Sequence, residues 1–408
     1  MTTRWLVLIE SNTTGTGRLF ARAAASQSYR PILLSRNPSR YKYAREDNLD
    51  ILEVDTQDER LLLAACQQLA TTGELGGITS SSEYFIQTAA TLASQFGLPG
   101  PNPESIKHCR DKLEQRLRLQ TARIGVPAFE AAETELEALD AAKSIGLPVV
   151  LKPISGSGSV GVKLCSTGDE VVSHAHSLLN QSHNERGMPI KRRILVEEFA
   201  QGREFSVEIF GGTIIGITRK QLGALPYFVE TGHDFPAQLS TSDEELISQT
   251  AYRAIGALGL GWGPVHLELL VSKGEARVIE VNPRLAGGYI PELVRLAVGI
   301  EMISETIKAA TGEAVALKRV TNKHASIRFI LSPSHGTLSY VRGLEAAMRL
   351  QGVIDVQLYC QPGARVYKYG DFRDRIGYII TLGDTYESAY KSAEQAQRAI
   401  EVFAEQIS

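Results

Sequence analysis

A chain of 408 residues exceeds what one ordinary hydrophobic core holds together, so two to four subdomains are expected. Charged residues at 22%, hydrophobic ones at 43% and a net charge of -3 describe a globular protein without the basic surplus that nucleic acid or an anionic membrane selects for. No apolar run is long enough to span a bilayer, and Met1-Thr-Thr-Arg-Trp-Leu-Val-Leu-Ile-Glu10 meets an acid too early for a signal peptide. Cys66, Cys109, Cys165 and Cys360 stand far apart with no metal-type spacing, so a reduced, cytoplasmic setting is expected.

Up to about Ser105, short apolar runs alternate with helical patterns, the signature of a parallel sheet wrapped by helices. The strand candidates are residues 5–9, 31–35, 50–54 and 76–79. Glu10-Ser-Asn-Thr-Thr-Gly-Thr-Gly-Arg18 follows the first strand but lacks the third glycine of a dinucleotide fingerprint and any Gly-Lys-Ser/Thr ending, so it reads as a tight turn. Ser80-Ser-Ser-Glu-Tyr84 follows the fourth strand, where open α/β sheets bind ligands, and Glu83 is placed to meet a substrate ammonium.

Leu98-Pro-Gly-Pro-Asn-Pro103 marks a boundary. Residues 105–121 then read as one basic helix, with Lys112 and Arg116 on one side by their i,i+4 spacing. Gly146-Leu-Pro-Val-Val-Leu-Lys-Pro153 is a buried strand ending in Lys152. Next comes Ile154-Ser-Gly-Ser-Gly-Ser-Val-Gly-Val162, whose backbone can come close to phosphate oxygens and cradle them with successive N–H groups. His174, His176 and His183 lie in a polar stretch without companion ligands and read as solvated. Residues 193–208 read as strand, turn and strand, with a connection suited to a flat base and with Glu204 placed for ribose hydroxyls.

Val265-His-Leu-Glu-Leu-Leu270 and Ala276-Arg-Val-Ile-Glu-Val-Asn-Pro-Arg284 are alternating segments. Alternate strand residues face one way, so Glu280, Asn282 and Arg284 converge on one space, while Glu268 stands among apolar neighbours. Two carboxylates and an amide oxygen are hard ligands suited to Mg2+ that shares substrate phosphates. Arg284 would hold an anion beside the metal with its planar fork.

In this order the parts resemble the ATP-grasp superfamily of carboxylate-amine ligases. The matching motifs are Asp111-Lys112, Leu151-Lys-Pro-Ile-Ser-Gly-Ser-Gly-Ser-Val-Gly161, Val196-Glu-Glu-Phe199, Gly202-Arg-Glu-Phe-Ser-Val-Glu208, His266-Leu-Glu268 and Glu280-Val-Asn-Pro-Arg284. The resemblance implies an α/β, α+β multidomain fold. Its parts would be an N-terminal parallel-sheet domain (1–104), a small ATP-binding lobe with the glycine-rich loop (105–196), a large lobe with the metal site (197–320) and a C-terminal α+β domain (321–408). It further implies that Lys112 and Lys152 contact ATP phosphates under a loop contributed by Ser155, Gly156, Ser157, Gly158 and Gly161. Glu197, Glu198, Phe199 and Ala200 would form the hinge around adenine and Glu204 would hold the ribose. Glu268, Glu280 and Asn282 would carry Mg2+, with Mn2+ as the alternative ion, and Arg284 and Lys152 would act on the transferred phosphoryl group.

The C-terminal segment and Leu225-Pro-Tyr-Phe-Val-Glu-Thr-Gly-His-Asp-Phe-Pro-Ala237 are similar to the dipeptide-forming L-amino-acid ligases. An ATP-dependent ligase follows, joining a small carboxylate to an amine through an acyl phosphate, with an amino acid among its substrates and a homodimer as the implied oligomer. A carboxyphosphate-forming or purine-pathway enzyme, or a nucleotide-binding protein without turnover, are the alternatives. Substrate choice is expected from Glu83, His233, Gly287 and Gly288 around Arg284, with Tyr227, Phe228 and Phe235 walling a side-chain pocket.

Overall fold

The computed structural model describes residues 2–13, 15–184 and 186–406. Met1 of the first apolar run and Thr14 of the turn after it lie outside the described residues. Arg4–Ile9, Arg30–Ser35, Asp50–Glu53 and Glu74–Thr79 form one parallel sheet, with Arg4–Ile9 between Arg30–Ser35 and Glu74–Thr79. Leu6 to Ile9 are wholly buried because helices cover both faces, which is why the strand reads as a continuous apolar run.

Residues 105–121 are not one helix. Pro103–Arg110 and Lys112–Thr121 are separated at Asp111, whose backbone is extended and whose carboxylate accepts hydrogen bonds from Leu113 N and Glu114 N at 3.1 and 3.3 Å. An aspartate that caps a new helix competes with continuing the old one.

A small antiparallel sheet follows, in the order Phe129–Ala132, Ile194–Glu198, Val149–Pro153, Lys163–Cys165. Helices Glu135–Ile145 and Gly168–Leu179 back it through Ala138, Ala141, Ala142, Val171 and Ala175, small residues that allow close packing. The eight-stranded sheet runs Glu275–Asn282, Pro264–Ser272, Arg203–Phe210, Thr213–Leu222, Glu230–Phe235, His324–Leu331, Arg375–Gly383, Val353–Leu358. It is therefore continuous from the segment expected as the large lobe into the segment expected as the C-terminal domain. Ile194–Glu198 and Arg203–Phe210, adjacent in sequence, belong to different sheets, so residues 199–202 cross between them instead of closing a hairpin.

A fourth sheet, Arg365–Val366, Gly336–Arg342, Glu401–Glu405, closes the C-terminal part beside helix Tyr386–Ala399. One apolar core runs from Leu6 and Leu8 through Leu285, Ile290 and Leu293 to Ile327 and Tyr378. It fixes the N-terminal sheet against the exit of strand Glu275–Asn282, which brings Glu83 to Arg284.

Candidate active site

The register of two antiparallel strands sets the centre: Glu268 lies opposite Glu280, and His266 opposite Asn282. Helix Lys112–Thr121 is clipped behind this pair. The Gln115 carboxamide, fully buried, donates to Val281 O at 2.8 Å and accepts from Val281 N at 2.9 Å, and Arg116 donates to Ile279 O. So clamped, the helix directs Lys112 Nζ to Glu280 at 2.8 Å and to the Gly156 carbonyl at 3.0 Å. Gln115 has no charge and belongs to no motif singled out above, so the sequence offered only its helical spacing.

Lys152 leaves its strand toward Glu197, whose other carboxylate oxygen accepts from Arg116 Nε at 2.7 Å. Burial alone would raise the Glu197 carboxyl, but Arg116 and Lys152 outweigh it and hold it below the ordinary range. Burial in turn holds the Lys152 ammonium below its ordinary range in spite of Glu197. The Glu197 side chain thus serves Lys152 and Arg116, while its backbone lies in a strand flanked by Phe129–Ala132 and Val149–Pro153. Glu198 points the opposite way, to Arg277 at 2.8 Å and Ala128 N at 3.2 Å. Phe199 meets Phe228 edge-on at 6.2 Å.

The glycine-rich loop is tethered at few points. Ser159 Oγ donates to Phe228 O at 3.0 Å, and Phe372 N donates to Gly158 O at 3.3 Å. His174 is not solvated as its sequence context suggested: burial lowers its pKa, and Nε2 lies 2.9 Å from the Gly161 carbonyl, beneath the end of the loop. His176 and His183 are exposed.

Lys220, which the sequence reading passed over, is the electrostatic hub of the large lobe. Its buried ammonium lies 2.6 Å from Glu204, 2.9 Å from Glu230 and 2.7 Å from Glu268. Glu268 gains a second cation in His266 at 3.0 Å, whose other nitrogen faces Glu208 at 3.1 Å. Burial would lower the His266 pKa, but Glu208 and then Glu268 push it up to about 10. Glu230 gains His233 at 3.2 Å and Arg375 at 2.8 Å. With those second partners Glu230 and Glu268 are held below the ordinary carboxylate range against their burial. Among the described residues Glu204 pairs with Lys220 alone, and burial keeps it above that range. In this state Glu204 meets Lys220 rather than an open ribose pocket.

On the substrate side, Arg284 Nε binds the Glu83 carboxylate, and both groups line a cavity of about 1290 Å3. Burial would raise the Glu83 carboxyl, but Arg284 with Arg110 and Lys112 leaves it below its ordinary value. Gly287 and Gly288 also line the cavity. Gly288 has φ +58, and a Cβ there would meet His233 Cε1 at 2.4 Å, so the turn admits no side chain without displacement. His233 is 1% exposed; it holds the Gly288 carbonyl at 3.0 Å and Glu230, so it braces the turn from behind and is absent from the cavity lining. The expected aromatic wall is corrected as well. Phe235 is fully buried in the core, Phe228 packs on Phe199, and Tyr227 lies over Gly370. The rings in the cavity are Phe20, Trp262, Tyr289, Phe329, Tyr359 and Phe372, the last three from the C-terminal segment.

Among the described residues, no three His, Cys, Asp or Glu side chains cluster tightly enough to hold a metal by themselves. Two carboxylates and a carboxamide on facing strands still suit Mg2+, which characteristically takes one or two protein carboxylates and completes its shell with water and substrate phosphate. Lys112 and Lys220 now neutralise the two acids.

The ATP-grasp domain family matches residues 145–292, and the L-amino acid ligase C-terminal domain 2 family matches residues 328–405. The Sinorhizobium fredii protein y4rH is 38% identical over 396 residues, covering 97% of this chain and 82% of its own. Carnosine synthase 1 from Mus musculus is 28% identical over 66% of this chain and 35% of that longer enzyme. The L-amino acid ligase structure from Bacillus licheniformis superposes over 100% of both chains with a TM-score of 0.81 at 22% identity. These likenesses, joined to the site, place the chain in the ATP-grasp carboxylate-amine ligases, on the branch that carries the L-amino acid ligase C-terminal domain.

Proposed function

We propose that the chain joins the carboxylate of one amino acid to the amine of a second, using ATP and Mg2+ and releasing ADP and phosphate. The observation that carries this reading is the strand register that sets Glu268 against Glu280, with Arg284 two residues beyond Asn282 in the cavity wall. The similar L-amino acid ligases of Bacillus subtilis and Bacillus licheniformis act on amino acids, as their names state, which supports amino acids as the substrates here.

A carboxylate has no leaving group until one oxygen is phosphorylated. In the proposed sequence a carboxylate oxygen attacks the γ-phosphorus and ADP leaves. The second amino acid's neutral amine then attacks the carbonyl, and phosphate departs with that oxygen while the amine loses a proton. Mg2+, held by Glu268, Glu280 and Asn282, would supply charge neutralisation at the phosphates when bound. Lys112 and Lys152 would bind phosphate oxygens, and the 155–161 loop would exclude water. Arg284 would orient the carboxylate and stabilise the charge that builds on the transferred group, exchanging Glu83 for substrate. Positioning and charge supply the catalysis, so these steps need no covalent nucleophile from the protein.

The test is phosphate release from ATP across amino acids supplied singly and in pairs, with the product identified by mass. Release that needs a pair, with a product lighter than the pair by one water, is the expected result. Release driven by bicarbonate alone would replace this reading with carboxyphosphate formation, and release with no organic acceptor would overturn it.

A further inference from the structure

The arginines around the cavity are already matched by the chain itself. Arg284 faces Glu83, Arg375 faces Glu230 at 2.8 Å, Arg373 faces Asp371 at 2.6 Å and Arg295 faces Glu292 at 2.6 Å. What is not matched is aromatic surface. Tyr289, Tyr359 and Phe372 line the cavity and are 37%, 49% and 40% exposed, although rings of that size are ordinarily drawn into a core. Tyr289 and Tyr359 stand together on Tyr378, and Phe372 lines the same cavity from its place against Gly158, a ligand-facing arrangement and not scattered surface hydrophobes.

The rings are also held in place. Tyr378, 3% exposed, stands behind the pair with its centroid 4.5 Å from Tyr289 and 5.9 Å from Tyr359. Its hydroxyl donates to Asp355 at 2.7 Å, which fixes the ring plane. Tyr289 has φ +62, a left-handed conformation that bulky residues avoid, and it sits immediately after Gly287-Gly288 and Arg284 at the head of helix Ile290–Val298. Strain of this kind persists where the surroundings enforce it and clusters at sites that use the side chain so displayed. Beside the tyrosines, the Phe329 face is covered by the Arg375 guanidinium at 3.7 Å, so the cation there is already spent on a ring of the protein.

Resting on the ligase reading above, we propose that one of the two amino acids joined here carries an aromatic side chain, received against Tyr289 and Tyr359 with Phe372 as a third wall. The selecting surface then comes largely from the C-terminal segment, while Arg284 and the Gly287-Gly288 turn hold the end that reacts. A flat ring gains offset and edge contacts with these tyrosines that an aliphatic group of equal size does not, a preference of about tenfold.

The experiment is calorimetric titration of the full chain, with Mg-ADP present, by L-phenylalanine, L-cyclohexylalanine and L-alanine, repeated on Tyr359→Ala and Tyr289→Gly. Glycine accepts the left-handed backbone, so the second variant removes the ring and relieves the strain together. L-Phenylalanine is expected to bind about tenfold tighter than L-cyclohexylalanine and tighter still than L-alanine. Both variants are expected to lose that preference while retaining wild-type affinity for Mg-ADP as the folding control. Equal binding of the three amino acids, or a preference that survives both variants, overturns the proposal. The two readings separate cleanly. Aromatic preference without phosphate release from any pair keeps the aromatic binding surface but sinks the ligase reading and with it the joining of that amino acid, whereas pair-dependent release confined to small aliphatic amino acids keeps the ligase reading and overturns this inference.

Discussion

The two sides of the cavity are built by opposite rules. On the phosphate and metal side every charge is tied to another: Lys112 to Glu280, Lys152 and Arg116 to Glu197, Lys220 to Glu204, Glu230 and Glu268. On the far side, aromatic rings stand open to solvent. Under the proposed function the first side is a set of ion pairs that nucleotide and metal would exchange for their own charges, and the second is a surface that would receive a side chain. Charge networks are costly to break by halves, because removing one partner strands the other in a poorly solvated place; open rings cost little to trim.

The largest effect that would test the contrast is at Lys220. Lys220→Met leaves three carboxylates around one point without their shared ammonium, and the folded state should lose about 3–5 kcal/mol. Urea unfolding measures it, and a midpoint equal to wild type would mean that the hub carries no stability. Next comes Glu280→Gln, which removes one of the acids that would carry Mg2+. Turnover should fall by at least about 100-fold, with a smaller drop in the unfolding midpoint than at Lys220 because Lys112 keeps the Gly156 carbonyl as a partner; unchanged steady-state kinetics would remove Glu280 from the reaction.

A third test concerns the loop at residues 155–161. Its tethers are the single bonds from Ser159, Phe372 and Lys112 and the contact to His174, and Val160 is its one apolar side chain of any size. Local opening should therefore be cheap, and Mg-ATP at a hundredfold excess over its Kd should slow amide exchange there by about 100-fold. Equal exchange with and without nucleotide would show that the loop is not a lid. The smallest effect is at Gly288, where a methyl at φ +58 meets the His233 ring. Gly288→Ala should cost on the order of 1–3 kcal/mol in the turn and appear as a raised amino-acid KM, with the KM for ATP close to wild type. Equal damage to both KM values would make the turn a support of the whole site.

The same contrast explains what could be read before the structure. Lys112, Lys152, Glu268, Glu280, Asn282 and Arg284 lie in short segments where strand alternation or helical spacing already orients them, and the parallel sheet announced itself as runs buried on both faces. Gln115 and Lys220 escaped notice because their roles depend on which strand lies behind them, a tertiary fact. The aromatic wall was sought at Tyr227, Phe228 and Phe235, near His233 in sequence. The exposed rings of the cavity are instead Tyr289, Tyr359 and Phe372, which line one cavity because the eight-stranded sheet continues into the C-terminal segment. The break at Asp111 was hidden for a local reason: the basic residues on either side of it kept helical spacing while the aspartate started a second helix. The final strand, Glu401–Glu405, took its conformation from pairing with Gly336–Arg342.

The most direct measurement follows the carboxylate oxygen. The substrate carboxylate would be labelled with 18O, the reaction run with Mg-ATP and the amine, and the phosphate examined by mass. If the carboxylate attacks the γ-phosphorus and an amine then displaces the acyl phosphate, each product formed leaves one 18O in inorganic phosphate and ADP stays unlabelled. Label appearing in AMP, or phosphate released without label, would contradict acyl-phosphate formation at this site.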